Sequence, residues 1–210
     1  MRKRFGRWLL HVLGWQTRGA FPAGCERCVL VAAPHTSNLD LFFLLAFAMA
    51  FELRVRWVGK HTLFRFPLGP MMRALGGIPV DRRLRQDTVT QLAAEFARRD
   101  RLILVIAPEG TRSHSGYWKS GFYWIAHKAG VPIVPSFLDW GTRTAGFGPA
   151  LFPGGSLREA MDQMRRVYDG MRGRYTTKLG PVRLEEEDET ETPSDADAPQ
   201  ARAASDGARL

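Results

Sequence analysis

The stretch VLVAAPHTSNLDLFFLLAF, residues 29–47, passes from a β-branched segment through a histidine into a strongly apolar run. Val29-Leu30-Val31 reads as a buried strand, and Pro34 ends it, because proline has no N–H to give a sheet ladder. His35 therefore stands where a strand hands over to a helix. Ser37 is predicted to cap that helix, with Asp40 three residues on as the acidic partner of a capping box, so His35 and Asp40 meet at one helix N-terminus. A capping carboxylate beside an ordinary loop histidine would give the same pattern. The rest of the chain has to decide between the two.

Strand-like runs recur at Cys28 to Ala33, Leu53 to Val58, Gly77 to Val80, Leu102 to Ala107 and Val131 to Phe137. Between them lie helical stretches at Leu39 to Phe51, Asp87 to Arg99, Ser120 to Ala129 and Leu157 to about Met171. Val89, Leu92, Ala93 and Phe96 share one face of the second, Gly130 is a C-terminal stop for the third, and Ser156 with Glu159 forms a capping box on the fourth. The alternation predicts an α/β fold, a central, mostly parallel sheet with helices on both faces. Gly141 to Pro153 reads as a glycine-rich loop. Ligands of α/β sheets bind at the carboxyl ends of strands. His35, Lys60 and Glu109 all follow such ends.

The 210 residues, 45% of them hydrophobic, suit one sizeable core. The net charge of +9 is unevenly spread: residues 181–210 hold nine acidic and three basic side chains, against twelve acidic and twenty-seven basic before them. The body is therefore +15 and the tail −6. So basic a body suggests an anionic partner, whether nucleic acid, a phosphorylated substrate or an acidic membrane surface. No helix-turn-helix, zinc-finger or RNP pattern supports nucleic acid. The tail, 181–210, has few large apolar residues and is expected to be disordered.

Cys25 and Cys28 form a single C-x-x-C with no second pair, so no metal site is expected, and two reduced cysteines fit a cytosolic setting. The longest apolar run, Leu41 to Phe51, is 11 residues, against the roughly 20 needed to cross a bilayer. The start lacks a small-residue cleavage pattern, so no signal peptide is expected. Three parts result: a basic amphipathic segment at 1–19, a folded domain at 20–180 and the acidic tail.

Further along, APEGTRS, residues 107–113, follows a buried run. Glu109 can accept hydroxyl protons, Gly110 permits a tight turn, and Thr111 and Arg112 can bind phosphate. GGIPVDR, residues 76–82, delivers Asp81 and Arg82 from a short strand, and the prolines of VPIVP, residues 131–135, suit a strand beside a pocket wall better than a central one.

H-x4-D, G-x-x-x-D-R, P-E-G-T-R and V-P-I-V-P, in that order over residues 28–138, closely resemble the four blocks of the glycerolipid acyltransferases, and specifically small bacterial members similar to 1-acylglycerol-3-phosphate acyltransferases. Pro34, Ala107 and Pro79 depart from the commonest form. The resemblance implies transfer of a fatty acyl group from acyl-CoA or acyl-carrier protein to a lysophosphatidate-like alcohol in phospholipid synthesis, with no cofactor beyond that co-substrate. His35 would be the general base and Asp40 would hold its tautomer. Arg112, with Lys60 and Arg82, would bind the acceptor phosphate, and Glu109 would orient its hydroxyls. Backbone N–H groups at the start of the Leu39 helix are the expected oxyanion donors. The alternative is an acyl-thioester or lipid hydrolase using the same pair on water, or transfer to another lysolipid or hydroxylated lipid. A lipid acceptor gives the basic, Trp-containing N-terminus a reason: a short helix on an anionic membrane, with the enzyme peripheral on the cytoplasmic face.

Overall fold

The computed structural model describes residues 2–80, 85–154 and 156–189. In chain order the elements are α1 (Arg2–Val12), β1 (Gln16–Arg18), β2 (Arg27–Ala33), α2 (Leu39–Ala50), β3 (Val55–Lys60), α3 (Gly69–Ala74), β4 (Gly77–Val80), α4 (Arg85–Ala97), β5 (Leu102–Ile106), α5 (Gly121–Ala129), β6 (Ile133–Asp139), β7 (Thr144–Phe147), α6 (Leu157–Tyr168) and α7 (Glu185–Glu189). The strands make one seven-stranded sheet in the order β1-β7-β6-β2-β5-β3-β4. Every described pairing is parallel except β6 with β7.

Side chains alternate across the central strands, as the two-residue repeat of a strand requires. Val29, Val31, Leu102, Leu104 and Ile133 face one core shared with α4, α5 and α6. Cys28, Leu30, Ile103, Val105 and Val134 face the other, where α2 supplies Leu41 and Leu44 and the segment before β4 supplies Phe64 and Met72. Helices thus cover both faces, in agreement with the sequence. Gly130 adopts the left-handed conformation (φ 61°) that closes α5, and Ser156 and Glu159 form the expected capping box.

Four expectations need correction. The glycine-rich stretch 141–153 contains β7, whose antiparallel pairing with β6 leaves β1 to dock on its outer side. β6 is an interior strand although it carries Pro135, which lies opposite Val31 in the register. The Pro135 carbonyl accepts the Gly148 N–H (2.9 Å), so its polar edge and missing N–H fall on the side away from β2, and the interior pairing with β2 survives the proline.

The first 19 residues are not a separate appendage. α1 packs on α2 so closely that a Cβ on Gly6 would stand 2.7 Å from the Ala50 nitrogen, and Leu10 and Trp15 share a core with Phe43, Phe47 and Ala145.

Order also continues past Pro181. The Trp118 N–H donates to the Arg183 carbonyl (2.8 Å), Leu184 is fully buried, and Glu187 pairs with Arg165 at 3.0 Å. One leucine anchors this acidic stretch, which average composition hides; residues 190–210 lie outside the described residues. Leu184→Ala should therefore cost about 2 to 5 kcal/mol, the usual range for emptying a buried leucine site. The checks are a thermal melt and the rate of proteolytic cutting after Gly180, which should rise.

Candidate active site

Strand β2 ends at Ala33 and places His35 at the carboxyl edge of the sheet, beside the first turn of α2. There His35 Nδ1 stands 3.1 Å from Asp40 Oδ2, with the imidazole 20% exposed and the carboxylate 4%. The two residues that the motif separates are one hydrogen-bonded pair. Asp40 is held from several sides: Oδ2 also accepts the Thr36 N–H (3.0 Å) and the Ser37 N–H (2.8 Å), and Oδ1 accepts from the Trp140 indole (3.2 Å). A carboxylate with four donors cannot swing. It fixes the ring with Nδ1–H toward Asp40 and leaves Nε2 as the nitrogen free to take a proton.

The expected Ser37 cap is not formed: Asn38 is the N-cap of α2, with no side-chain capping hydrogen bond. Asp40 does reach back to the Ser37 N–H, but the Ser37 hydroxyl accepts from the Leu39 N–H (3.2 Å) and not from that of Asp40. This bears on the expected oxyanion donors. The N–H groups of Thr36 and Ser37 serve Asp40, that of Leu39 serves Ser37, and that of His35 donates to Glu109 Oε1 (2.9 Å). These four are engaged in positioning the pair, so none of them is the expected free donor.

Glu109 arrives from the loop after β5. Gly110, at φ +66°, supplies the left-handed residue of the turn that its N–H closes onto the Ala107 carbonyl. Glu109 Oε1 receives the His35 N–H, while Oε2 is buried and has no partner among the described residues. Burial pushes the Glu109 carboxyl up from its ordinary value, against the pull of its hydrogen bonds to the Glu109 and His35 backbone. Burial first, and the Glu109 charge second, also hold the Tyr168 phenol protonated, so it remains a donor to Val31 and Ser136.

A cavity of about 1370 Å³ opens at this pair. His35, Asp40, Lys60, Glu109, Gly110, Thr111 and Arg112 all border it, together with Lys119. Beneath α2 its walls are apolar, with Leu41, Leu44, Phe47, Phe51, Trp57 and Leu63. Lys60 is the last residue of β3 and Arg112 is exposed. Thr111 accepts from the Ser113 N–H (3.2 Å). Arg82, with Asp81, lies outside the described residues. Sequence reasoning missed Trp140, an indole one residue past β6 at the same sheet edge; its position after a strand end was the available signal.

Cys25 and Cys28 are buried free thiols, with burial the first cause raising both pKa values. No group of three His, Cys, Asp or Glu side chains able to hold a metal occurs among the described residues.

Glu109→Gln tests the buried carboxylate. A carboxyl whose folded pKa is raised costs stability as pH climbs from its unfolded toward its folded value, since the native state then holds a proton the unfolded state has lost. The amide keeps an acceptor for the His35 N–H and cannot ionise. Melts of this variant should exceed those of the wild type by a few degrees at neutral pH, and the gap should close as pH falls below the ordinary carboxylate range.

A histidine held by a buried carboxylate thus borders a cavity with apolar walls that Lys60, Arg112 and Lys119 also line. The family model described as Acyltransferase matches residues 17–139, and the chain belongs to that family. It is similar to the chloroplastic 1-acyl-sn-glycerol-3-phosphate acyltransferase BAT2 of Brassica napus, 32% identical over 123 residues that cover 56% of this chain and 34% of the relative. A probable 1-acyl-sn-glycerol-3-phosphate acyltransferase of Mycoplasma pneumoniae is 32% identical over 130 residues, 52% of this chain and 44% of the relative. The chain thus matches less than half the length of these relatives. Its fold is that of the 1-acyl-sn-glycerophosphate acyltransferase PlsC of Thermotoga maritima, with a TM-score of 0.50, 21% identity and coverage of 79% of this chain and 73% of that one.

Proposed function

We propose that the protein transfers a fatty acyl group from a thioester, acyl-CoA or acyl-carrier protein, to the hydroxyl of a lysophosphatidate-like acceptor. The observation that carries this reading is the Asp40-held imidazole on a cavity whose walls beneath α2 are apolar and which Lys60, Arg112 and Lys119 also line. In the proposed step His35 Nε2 takes the acceptor hydroxyl proton as its oxygen attacks the thioester carbonyl. The C–S bond then breaks, and the departing thiolate receives that proton. Nδ1–H stays on Asp40, which stabilises the transient imidazolium. The acceptor hydroxyl supplies the nucleophile, so no acyl-enzyme forms and no cofactor enters the step. Glu109 Oε2 offers an acceptor hydroxyl a hydrogen-bond partner, and Lys60 and Arg112 offer phosphate their charges. Similarity to the two curated relatives supports the choice of acceptor.

A membrane surface is the natural source of such an acceptor. No helix among the described residues is long and apolar enough to cross a bilayer. Exposed large apolar side chains nonetheless gather on the α1–α2–α3 side: Phe5, Trp8 and Val12, then Leu39 and Phe42, then Phe66, Leu68 and Met71. Arg2, Arg4 and Arg7 are exposed beside the first group, while Lys3 pairs with Glu52 at 2.8 Å. Such a face suits shallow insertion into an anionic interface. Because Leu10 and Trp15 are core residues, the informative variant changes the outer face and leaves the helix. Phe5→Ser with Trp8→Ser should weaken co-sedimentation with anionic vesicles by about tenfold or more, the loss of two large apolar anchors, and leave transfer to a monomeric short-chain acceptor intact.

The substrate assignment is tested by mass spectrometry of products from mixed acyl-CoAs and a panel of lysolipids with glycerol 3-phosphate. Phosphatidate should dominate. A product from a different acceptor would reassign the substrate, and free fatty acid alone would favour a hydrolase.

A further inference from the structure

Beside the Thr36–Leu39 loop lies a second hollow of about 400 Å³. Among the described residues its cations are Arg112, Arg174 and Lys178, and no carboxylate borders it. Neither Arg174 nor Lys178 belongs to the motifs around His35 or Glu109. They come from the turn after α6, beyond the matched family segment, which ends at residue 139.

This turn is fixed against the active-site loop. The Tyr175 N–H donates to Thr36 Oγ1 (3.2 Å), and a Cβ on Gly173 would stand 2.6 Å from the Thr36 methyl, so the chain passes there at glycine distance. The cations are braced by aromatic rings and not by acids. The Arg174 guanidinium lies 5.0 Å from the Trp140 ring centroid, and Lys178 Nζ lies 4.5 Å from that of Tyr175. Ring contacts hold a cation in place without neutralising it. Three like charges around a concave surface concentrate a positive field that an anion relieves, and guanidinium groups match the geometry of phosphate oxygens.

We infer that Arg174 and Lys178, with Arg112, form a phosphate-binding subsite beside the catalytic loop. Arg112 borders both hollows. Trp140, which carries Arg174, also donates to Asp40, so a phosphate held here sits one ring away from the His35–Asp40 pair. Two carriers have the right chemistry: the phosphate of a glycerol 3-phosphate headgroup on the acceptor, and the nucleotide phosphates of a CoA donor. The identity of the carrier rests on the proposed acyl transfer; the binding itself does not.

Calorimetry of the full chain at low ionic strength separates these, with glycerol 3-phosphate as one probe and adenosine 3′,5′-bisphosphate as the other. The wild type should bind one of them at millimolar concentration or below. Arg174→Gln with Lys178→Gln should weaken that binding about tenfold or more, through two lost charge-assisted contacts, with an unchanged melt in the absence of ligand. Arg174→Lys with Lys178→Arg should stay close to wild type. Preference for glycerol 3-phosphate assigns the subsite to the acceptor, and preference for the bisphosphate assigns it to the donor. If phosphate binding follows this pattern while no lysolipid is acylated, the functional reading falls and the subsite stands. The subsite is refuted if the glutamine pair binds as the wild type does, if the wild type binds neither probe, or if the conservative pair loses binding equally.

Discussion

His35→Ala is expected to lower the acyl transfer rate by about a hundred- to ten-thousand-fold, the range that a positioned general base supplies, while the protein stays folded. The fold should survive because the side chain does little structural work. Its partly exposed ring makes one hydrogen bond, to Asp40, and its backbone N–H to Glu109 remains in the alanine variant. Asp40 keeps its other three donors. The loss should fall on the maximal rate, since in the proposed step the imidazole moves a proton and is not the main binding contact. Steady-state kinetics with each substrate varied, run beside a thermal melt, checks this. A well-folded variant working near the wild-type rate would remove His35 from the mechanism.

Asp40→Asn should be nearly as damaging to rate and clearly worse for stability. Its carboxylate receives four hydrogen bonds from Thr36, Ser37, His35 and Trp140. Asparagine has one acceptor oxygen and one donor amide, so whichever way it turns, its NH₂ meets N–H groups. Leaving a buried donor unsatisfied costs about 1 to 3 kcal/mol, which for a chain of this size lowers the melt by roughly 2 to 4 °C per kcal/mol. The imidazole can then turn its unprotonated nitrogen toward the new amide, which places the proton on the nitrogen meant to accept one. Loss of the correct tautomer in a comparable triad costs about ten-thousand-fold. Transfer rates and denaturation midpoints for Asp40→Asn beside His35→Ala test both halves. An asparagine variant as stable as wild type would contradict the four-donor arrangement, and one as active would contradict the tautomer argument.

The sequence carried those parts of the fold whose signals are local. The central strands and their helices were legible because each buries its own apolar residues, and the ends of α5 and α6 were marked by Gly130 and Ser156. β1 and β7 were not: Gln16–Arg18 is exposed throughout, and Thr144–Phe147 carries Gly146, where a Cβ would strike the Arg18 carbonyl. Those two strands exist because of tertiary pairing. At the site, H-x4-D could be read because its residues share one helix start. The Trp140 indole, 100 residues from Asp40, and the Glu109 contact to the His35 N–H, 74 residues apart, arise from the sheet bringing several strand ends to one edge. Arg174 and Lys178 were invisible for the same reason. The tail boundary was misplaced because Leu184, a single apolar residue in an acidic run, decides where packing stops.

In the proposed reaction His35 activates an acceptor hydroxyl directly. The most direct measurement follows the label from acyl-labelled CoA, with and without lysophosphatidate, counting lipid, free fatty acid and protein separately after denaturation. Label should appear in phosphatidate when the acceptor is present, with little release without it and none bound to protein. Fatty acid released at the same rate with or without acceptor, or label covalently retained on the protein, would contradict the proposed reaction.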